Sequence, residues 1–239
     1  MSWTIDPHIR NWLPRLQAHR GYWVKGLQQN SLESIRLAYE LGYEMSEFDV
    51  RMTADGELIL FHDDFHAQRQ ISKISLHELR AMISVNTLDE LFAWFCKTDQ
   101  FKLNLEIKSK ALIGNQMEER IYSLIRKYSL QRRILISSFN PLSLYRIRKL
   151  DAGIYRALLL TFKKEDGNNW FVTSMIMNVF CRPHVLNLRF EDFIDVVRFA
   201  ALNVPIVLWT VNQMEIYQKF KGEIHGIISD EITPQVLKA

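Results

Sequence analysis

Four short motifs in the first half of the sequence close on residues that can do chemistry: His19-Arg20-Gly21, Glu47-Phe48-Asp49, His62-Asp63 and Glu106-Ile107-Lys108. Each follows an apolar run of strand-like length, so each chemical residue falls at the end of a predicted strand. If those ends converge, two imidazoles, three carboxylates, an arginine and a lysine meet at one point. Such a set can bind a divalent cation and cleave a phosphate ester.

Glu47 and Asp49 are two residues apart on one strand and so share a face. Carboxylates side by side repel unless a cation lies between them; the alternative is a surface strand carrying two solvated acids. Glu106 can add a third oxygen. Oxygen-only ligation suits Mg2+ or Ca2+ better than zinc. His19 and His62 can form a general acid–base pair, because imidazole titrates near neutrality, or can be structural or solvated. Arg20 and Lys108 can hold phosphate oxygens, the first as a fork and the second as a point charge. Lys108 can also pair with Glu106 or Asp49. Trp209, near the end of Pro205–Val211, either walls the pocket or packs inside the fold. Asp230 either reaches the site or caps the last helix, the cap being the favoured reading. Asn187 and Arg189 are further candidates for substrate contact. His8, His66, His77, His184 and His225 read as structural or solvated.

Positioning these groups falls to eight strands: Leu16–His19, Glu44–Val50, Lys102–Ile107, Arg133–Ser138, Ile154–Leu160, His184–Leu188, Pro205–Val211 and Gly226–Ser229. Helical patterns follow most of them, at Ser31–Leu41, Thr87–Lys97, Gln116–Tyr128, Pro141–Leu150, Trp170–Phe180, Glu191–Ala201 and Gln213–Phe220. Asn30, Asn140 and Asn212 are the expected caps. Eight strands alternating with helices predict a TIM (β/α)8 barrel, taken as a single domain over residues 1–239. One segment breaks the alternation. Asp55-Gly56 is a hairpin signal. It predicts an extra strand, Glu57–Phe61, antiparallel to the second strand, returning His62 to the side of Glu47 and Asp49.

The 239 residues are nearly half hydrophobic, enough for a sizeable core, and carry a net charge of +3. The pI of about 8.8 is mildly basic. The cations are dispersed, and the densest run, Tyr145–Lys149, reads as a solvated helix face, so nucleic acid is not an expected partner. Cys96 and Cys181 lack metal-ligand spacing and read as buried free thiols, consistent with a reducing compartment. With no secretory signal and no apolar span of membrane length, the expected location is cytoplasmic. There is no Walker loop, GxGxxG or nucleophilic triad motif.

The ordered motifs resemble the glycerophosphodiester phosphodiesterase family. The matching residues are His19-Arg20-Gly21, Gln28-Gln29-Asn30-Ser31, Glu47-Phe48-Asp49-Val50, Thr53-Ala54-Asp55-Gly56, His62-Asp63 and Glu106-Ile107-Lys108. The likeness continues through Ser137-Ser138-Phe139, Leu208–Asn212 and Gly226–Asp230. It implies a TIM barrel that hydrolyses small glycerophosphodiesters to glycerol 3-phosphate and an alcohol. It implies a divalent metal, Mg2+ or Ca2+, on Glu47, Asp49 and Glu106. It also implies His19 and His62 as acid and base, acting through a cyclic phosphate, with Arg20, Lys108 and Trp209 on the substrate. His19 is assigned as the first base, although the residues themselves leave the two histidines interchangeable. Two departures stand out. Gln28-Gln29 replaces the family's Pro-Glu, removing a carboxylate. The short segment from His62 to Leu103 leaves no room for an inserted cap, so an open site is expected.

Two other readings remain at this level. A lysophospholipase D-like enzyme would use an apolar stretch, at Trp170–Phe180 or at Trp3, Ile5, Ile9, Trp12 and Leu13, against a membrane surface; core packing and closure of the barrel floor explain both more simply. A non-catalytic barrel binding a phosphorylated ligand is the third. The sequence leaves the leaving alcohol and the oligomeric state open.

Overall fold

The computed structural model describes residues 6–24, 26–161, 178–193 and 204–238. All eight expected strands are present, as β1 (Leu16–Ala18), β2 (Met45–Met52), β6 (Lys102–Ile107), β7 (Ile134–Ser138), β8 (Tyr155–Leu160), β9 (Val185–Arg189), β10 (Ile206–Trp209) and β11 (Gly226–Ser229). Each pairs in parallel with its neighbours, and Ala18↔Ser46 joins β1 to β2, which closes the (β/α)8 barrel. Between β2 and β6 lie β3 (Leu58–Leu60) and a small hairpin of β4 (Phe65–His66) and β5 (Arg69–Gln70). The extra strand is where Asp55-Gly56 places it: β3 runs antiparallel to β2, with Val50 opposite Leu60. The β4–β5 hairpin carries no alternation long enough to be read from sequence.

Strand alternation sorts the side chains into two layers. On β7, Ile134 and Ile136 face the helices, within the large outer core. Leu135 points into the barrel with Met45, Ala157, Val185, Val207 and Ile228. Ile9 and Leu13, from the short helix α1 (Ile9–Trp12) and the residue after it, seal the floor of that inner cluster. This matches the floor-closing role expected of Ile9, Trp12 and Leu13. Trp3 and Ile5 lie outside the described residues. A third cluster of Ile59, Ile71, Ile74, Leu79 and Val85 gives the inserted segment its own small core.

Two expected caps are corrected. Helix α2 (Leu32–Glu40) starts at Ser31, whose hydroxyl accepts from Ser34 N in a reciprocal capping box. The helix at Met214–Phe220 is preceded by Gln213, with no side-chain cap. Asn30 and Asn212 are drawn away by carboxylates in the site. Asn140 does cap its helix, Pro141–Leu150. The expected helices at Trp170–Phe180 and Glu191–Ala201 fall mostly outside the described residues; Asn178–Cys181 is helical and Phe190–Asp192 forms one tight turn. Cys181 is buried, but Cys96 is exposed. Its helix, Leu88–Phe95, buries Leu88, Leu91, Phe92 and Phe95 on one face, and Cys96 follows them at the C-cap. Among the described residues, no helix is long and apolar enough to cross a membrane.

Candidate active site

Glu47 and Asp49 both point into the top of the barrel from β2, and Glu106 joins them from β6, where it lies opposite Asp49 in register. All three are buried, and one carboxylate oxygen from each lies within 4.8 Å of the others. The solvated-acid alternative is therefore ruled out by placement. Lys108 Nζ sits 3.1 Å from Asp49 Oδ1 and 2.7 Å from Glu106 Oε1. Arg20 Nε is 3.3 Å from Asp49 Oδ2, and Arg20 N donates to Glu47 Oε2 at 3.0 Å. Gln29, where the family motif has Glu, accepts from Arg20 Nη1 at 2.9 Å as a neutral partner.

The acids divide by their partners. Burial, then Asp49 and Glu106, push the Glu47 carboxyl well above its usual range. Burial also lifts Glu106, against the pull of Lys108, to about 7. At Asp49 burial opposes ionisation too, but Lys108 and Arg20 outweigh it and hold the group below the usual range. Two cations offset three buried acids incompletely. Among the described residues, Asp49 Oδ1 and Glu106 Oε1 accept no hydrogen bond beyond the ammonium of Lys108. A hard divalent cation fits this donor set.

A pH dependence follows for the metal-free protein. Glu106 ionises with more difficulty folded than unfolded. That group's contribution to stability is therefore full below the ordinary Glu range and lost as pH rises toward 7. In EDTA the melting temperature of the intact protein, taken relative to Glu106→Gln, is expected to fall between about pH 5 and 7, each kcal/mol lost costing roughly 2–4 °C. The comparison cancels the opposite trend of His62, His184 and His225, whose pKa values burial lowers. Saturating Mg2+ or Ca2+ should flatten the trend. A rising or flat difference between the intact protein and Glu106→Gln in EDTA would contradict the assigned charge state.

The two histidines flank the acids. His19 Nδ1 is 2.7 Å from Asp230 Oδ1, and its Nε2 is 4.0 Å from Glu47 Oε2. His62 Nδ1 is 2.7 Å from Asp63 Oδ1. A carboxylate can only accept, so each Nδ1 carries a proton and each Nε2 is left for other work. Burial, then Lys108, lower the pKa of His62. Asp230 is corrected from a helix cap to a site residue: it also accepts from Trp23 Nε1 at 3.2 Å and from Asn212 Nδ2 at 2.9 Å. These bonds, led by His19, outweigh burial and lower its pKa. Asn30 donates to Asp49 Oδ2 at 2.9 Å and accepts from Asp49 N at 2.8 Å. Asn30 and Asp230 are thus the site residues that spacing alone assigned elsewhere. Gly21 is needed next to them: its φ is +80°, and a Cβ there would lie 2.3 Å from Ser34 Oγ.

Trp209 takes the expected packing role. It packs against the inner cluster and meets Phe139 edge-on at 5.7 Å, and Phe139 in turn lies 5.9 Å from Lys108 Nζ. Asn187 is fully buried inside the barrel, while Arg189 makes a two-pronged pair with Glu191 at 2.9 Å.

The sequence model of the glycerophosphoryl diester phosphodiesterase family matches residues 19–233. The chain belongs to this family. It is accordingly a phosphoric diester hydrolase by membership. A glycerophosphodiester phosphodiesterase of Caldanaerobacter subterraneus is 27% identical over 233 residues, covering 90% of this chain and 93% of that one. The crystal structure of a glycerophosphodiester phosphodiesterase from Thermotoga maritima superposes with a TM-score of 0.74 at 26% identity, over 95% of this chain and 99% of that one. A phosphodiesterase of Oleispira antarctica, solved with its product sn-glycerol-3-phosphate, shares the fold at a TM-score of 0.77 and 21% identity, over 95% and 97%.

Proposed function

We propose that this member of the family hydrolyses glycerophosphodiesters to glycerol 3-phosphate and an alcohol, with Glu47, Asp49 and Glu106 holding Mg2+ or Ca2+. The observation that carries this is the placement of two aspartate-tethered histidines beside a buried triad of acids, with Arg20 and Lys108 between them. The bound cation would polarise the phosphoryl oxygen and neutralise charge on it. Lys108 and Arg20 add positive charge where negative charge builds in the transition state. One histidine Nε2 takes the proton of the glycerol 2-hydroxyl as its oxygen attacks phosphorus. The other gives its proton to the leaving alkoxide as the P–O bond breaks. Water then opens the cyclic phosphate with the two roles reversed. Trp209 and Phe139 wall the substrate side of Lys108.

The test is release of glycerol 3-phosphate from glycerophosphocholine in Mg2+, Ca2+ or EDTA. Release is expected with a cation and lost in EDTA. Release undiminished by EDTA would remove the metal from the reading, and no release under any condition would remove the substrate.

A further inference from the structure

Arg20 is fixed in place by its own backbone. Its N–H donates to Glu47 Oε2, and its carbonyl accepts from Asn30 N at 3.0 Å. Among the described residues its guanidinium has two side-chain partners. Nε lies 3.3 Å from Asp49 Oδ2, and Nη1 donates to Gln29 Oε1 at 2.9 Å. Nη2 meets no acceptor there, and the side chain keeps 19% of its surface exposed. A guanidinium in that state can still turn an N–H toward a phosphate oxygen.

The two partners differ in charge. Asp49 is shared, because Lys108 Nζ lies 3.1 Å from its Oδ1 and Asn30 donates to its Oδ2. Gln29 orients the guanidinium and takes no charge from it. The chain on either side of Gln29 is pinned as well. Gln28 Nε2 donates to the Ser84 carbonyl at 3.1 Å, and Ser31 Oγ donates to the Gln28 carbonyl at 2.7 Å. A carboxylate of the same shape at position 29 would make the same bond to Arg20 and cancel one unit of positive charge at contact distance.

Charge at this point separates phosphorus species. A phosphodiester carries one negative charge. A phosphate monoester above its second pKa of about 6 carries close to two. So does the phosphorane formed when an alkoxide adds to a diester. The pull of a fixed charge scales with the charge on the ligand, so the positive charge left on Arg20 favours the doubly charged species.

We propose that Gln29 is a specificity-determining residue: by orienting Arg20 through a neutral amide, it makes the site select doubly charged phosphorus over the singly charged diester. The species selected are the monoester product and the transition state. The proposal rests on the hydrolysis described above and adds the charge class that the site prefers.

The test uses a matched pair of anions, methyl phosphate and dimethyl phosphate. Their dissociation constants are measured by phosphorus NMR titration in saturating Mg2+ at about pH 8, above the monoester's second pKa. The intact protein should bind the dianion more tightly. Gln29→Glu should weaken the dianion about tenfold and the monoanion about threefold, because a point charge acts twice as strongly on two charges as on one. Gln29→Ala removes the bond without adding charge and should weaken both by a single factor. Glycerol 3-phosphate should inhibit glycerophosphocholine hydrolysis about tenfold less strongly in Gln29→Glu. Equal weakening of the two anions by Gln29→Glu, or no preference for the dianion in the intact protein, would overturn the proposal. A preference that falls as far in Gln29→Ala as in Gln29→Glu would overturn it too, by showing that position and not charge sets the selection. The titration needs no turnover, so hydrolysis that fails while the dianion's preference responds as stated would remove the substrate reading alone.

Discussion

Exchanging Glu47 for Gln is expected to lower kcat/KM by about three orders of magnitude and, in the same protein, to raise the melting temperature in EDTA. The opposite signs come from one cause. Glu47 is buried with Asp49 and Glu106, and burial and its neighbours' charges oppose its ionisation, so folding without a cation costs free energy at this group. Glutamine keeps the shape and can still accept from Arg20 N, so the fold is retained while the ionisable group is removed. Relief of that cost stabilises the metal-free protein. Loss of a ligand charge weakens the cation site, and transition-state stabilisation worth several kcal/mol goes with it, about tenfold in rate per 1.4 kcal/mol. The stabilisation that Mg2+ or Ca2+ gives the intact protein should shrink in parallel. Activity within tenfold of the intact protein, with unchanged metal dependence, would show that Glu47 is not a ligand.

The barrel was legible because its strands are short apolar runs at regular spacing, and that pattern survives without knowledge of any contact. The acids were legible for the same reason: a two-residue spacing on a strand fixes a shared face whatever surrounds it. Asn30 and Asn212 were not. Asparagine before a helical pattern is an ordinary cap signal. Only the fold brings Asp49 and Asp230 within reach and gives each amide a stronger, charged acceptor. Cys96 was misplaced because apolar neighbours in sequence do not say which side of a helix end a residue occupies. The exposure of Leu112 and Ile113 was missed for the converse reason. Ala111, Leu112 and Ile113 make a run too short to carry a period, and sequence alone does not separate a buried run from one pinned at the surface by a distant arginine.

The histidines carry the second large effect. His62→Ala and His19→Ala are each expected to lower kcat/KM by roughly 10²–10⁴, the usual worth of a positioned acid or base. The double variant should lose little more than the worse single one, because both act on one proton relay and removing either half disables it. The leaving group separates their roles. An alkoxide needs a proton as it departs; a nitrophenolate does not. The variant whose defect shrinks on a nitrophenyl ester of glycerol phosphate has therefore lost the first-step acid, and the one whose defect persists has lost the base. The aspartates should differ as well. Asp230 is mostly enclosed and binds His19, Trp23 and Asn212, whereas the Asp63 side chain is 69% exposed. Water can replace much of what Asp63 does for His62, but not what Asp230 does for His19. Asp230→Asn should accordingly cost more kcat than Asp63→Asn, with the folded state retained. Near-intact turnover in either single histidine variant would exclude that imidazole from the relay, and equal losses at both aspartates would show that enclosure does not set their contribution.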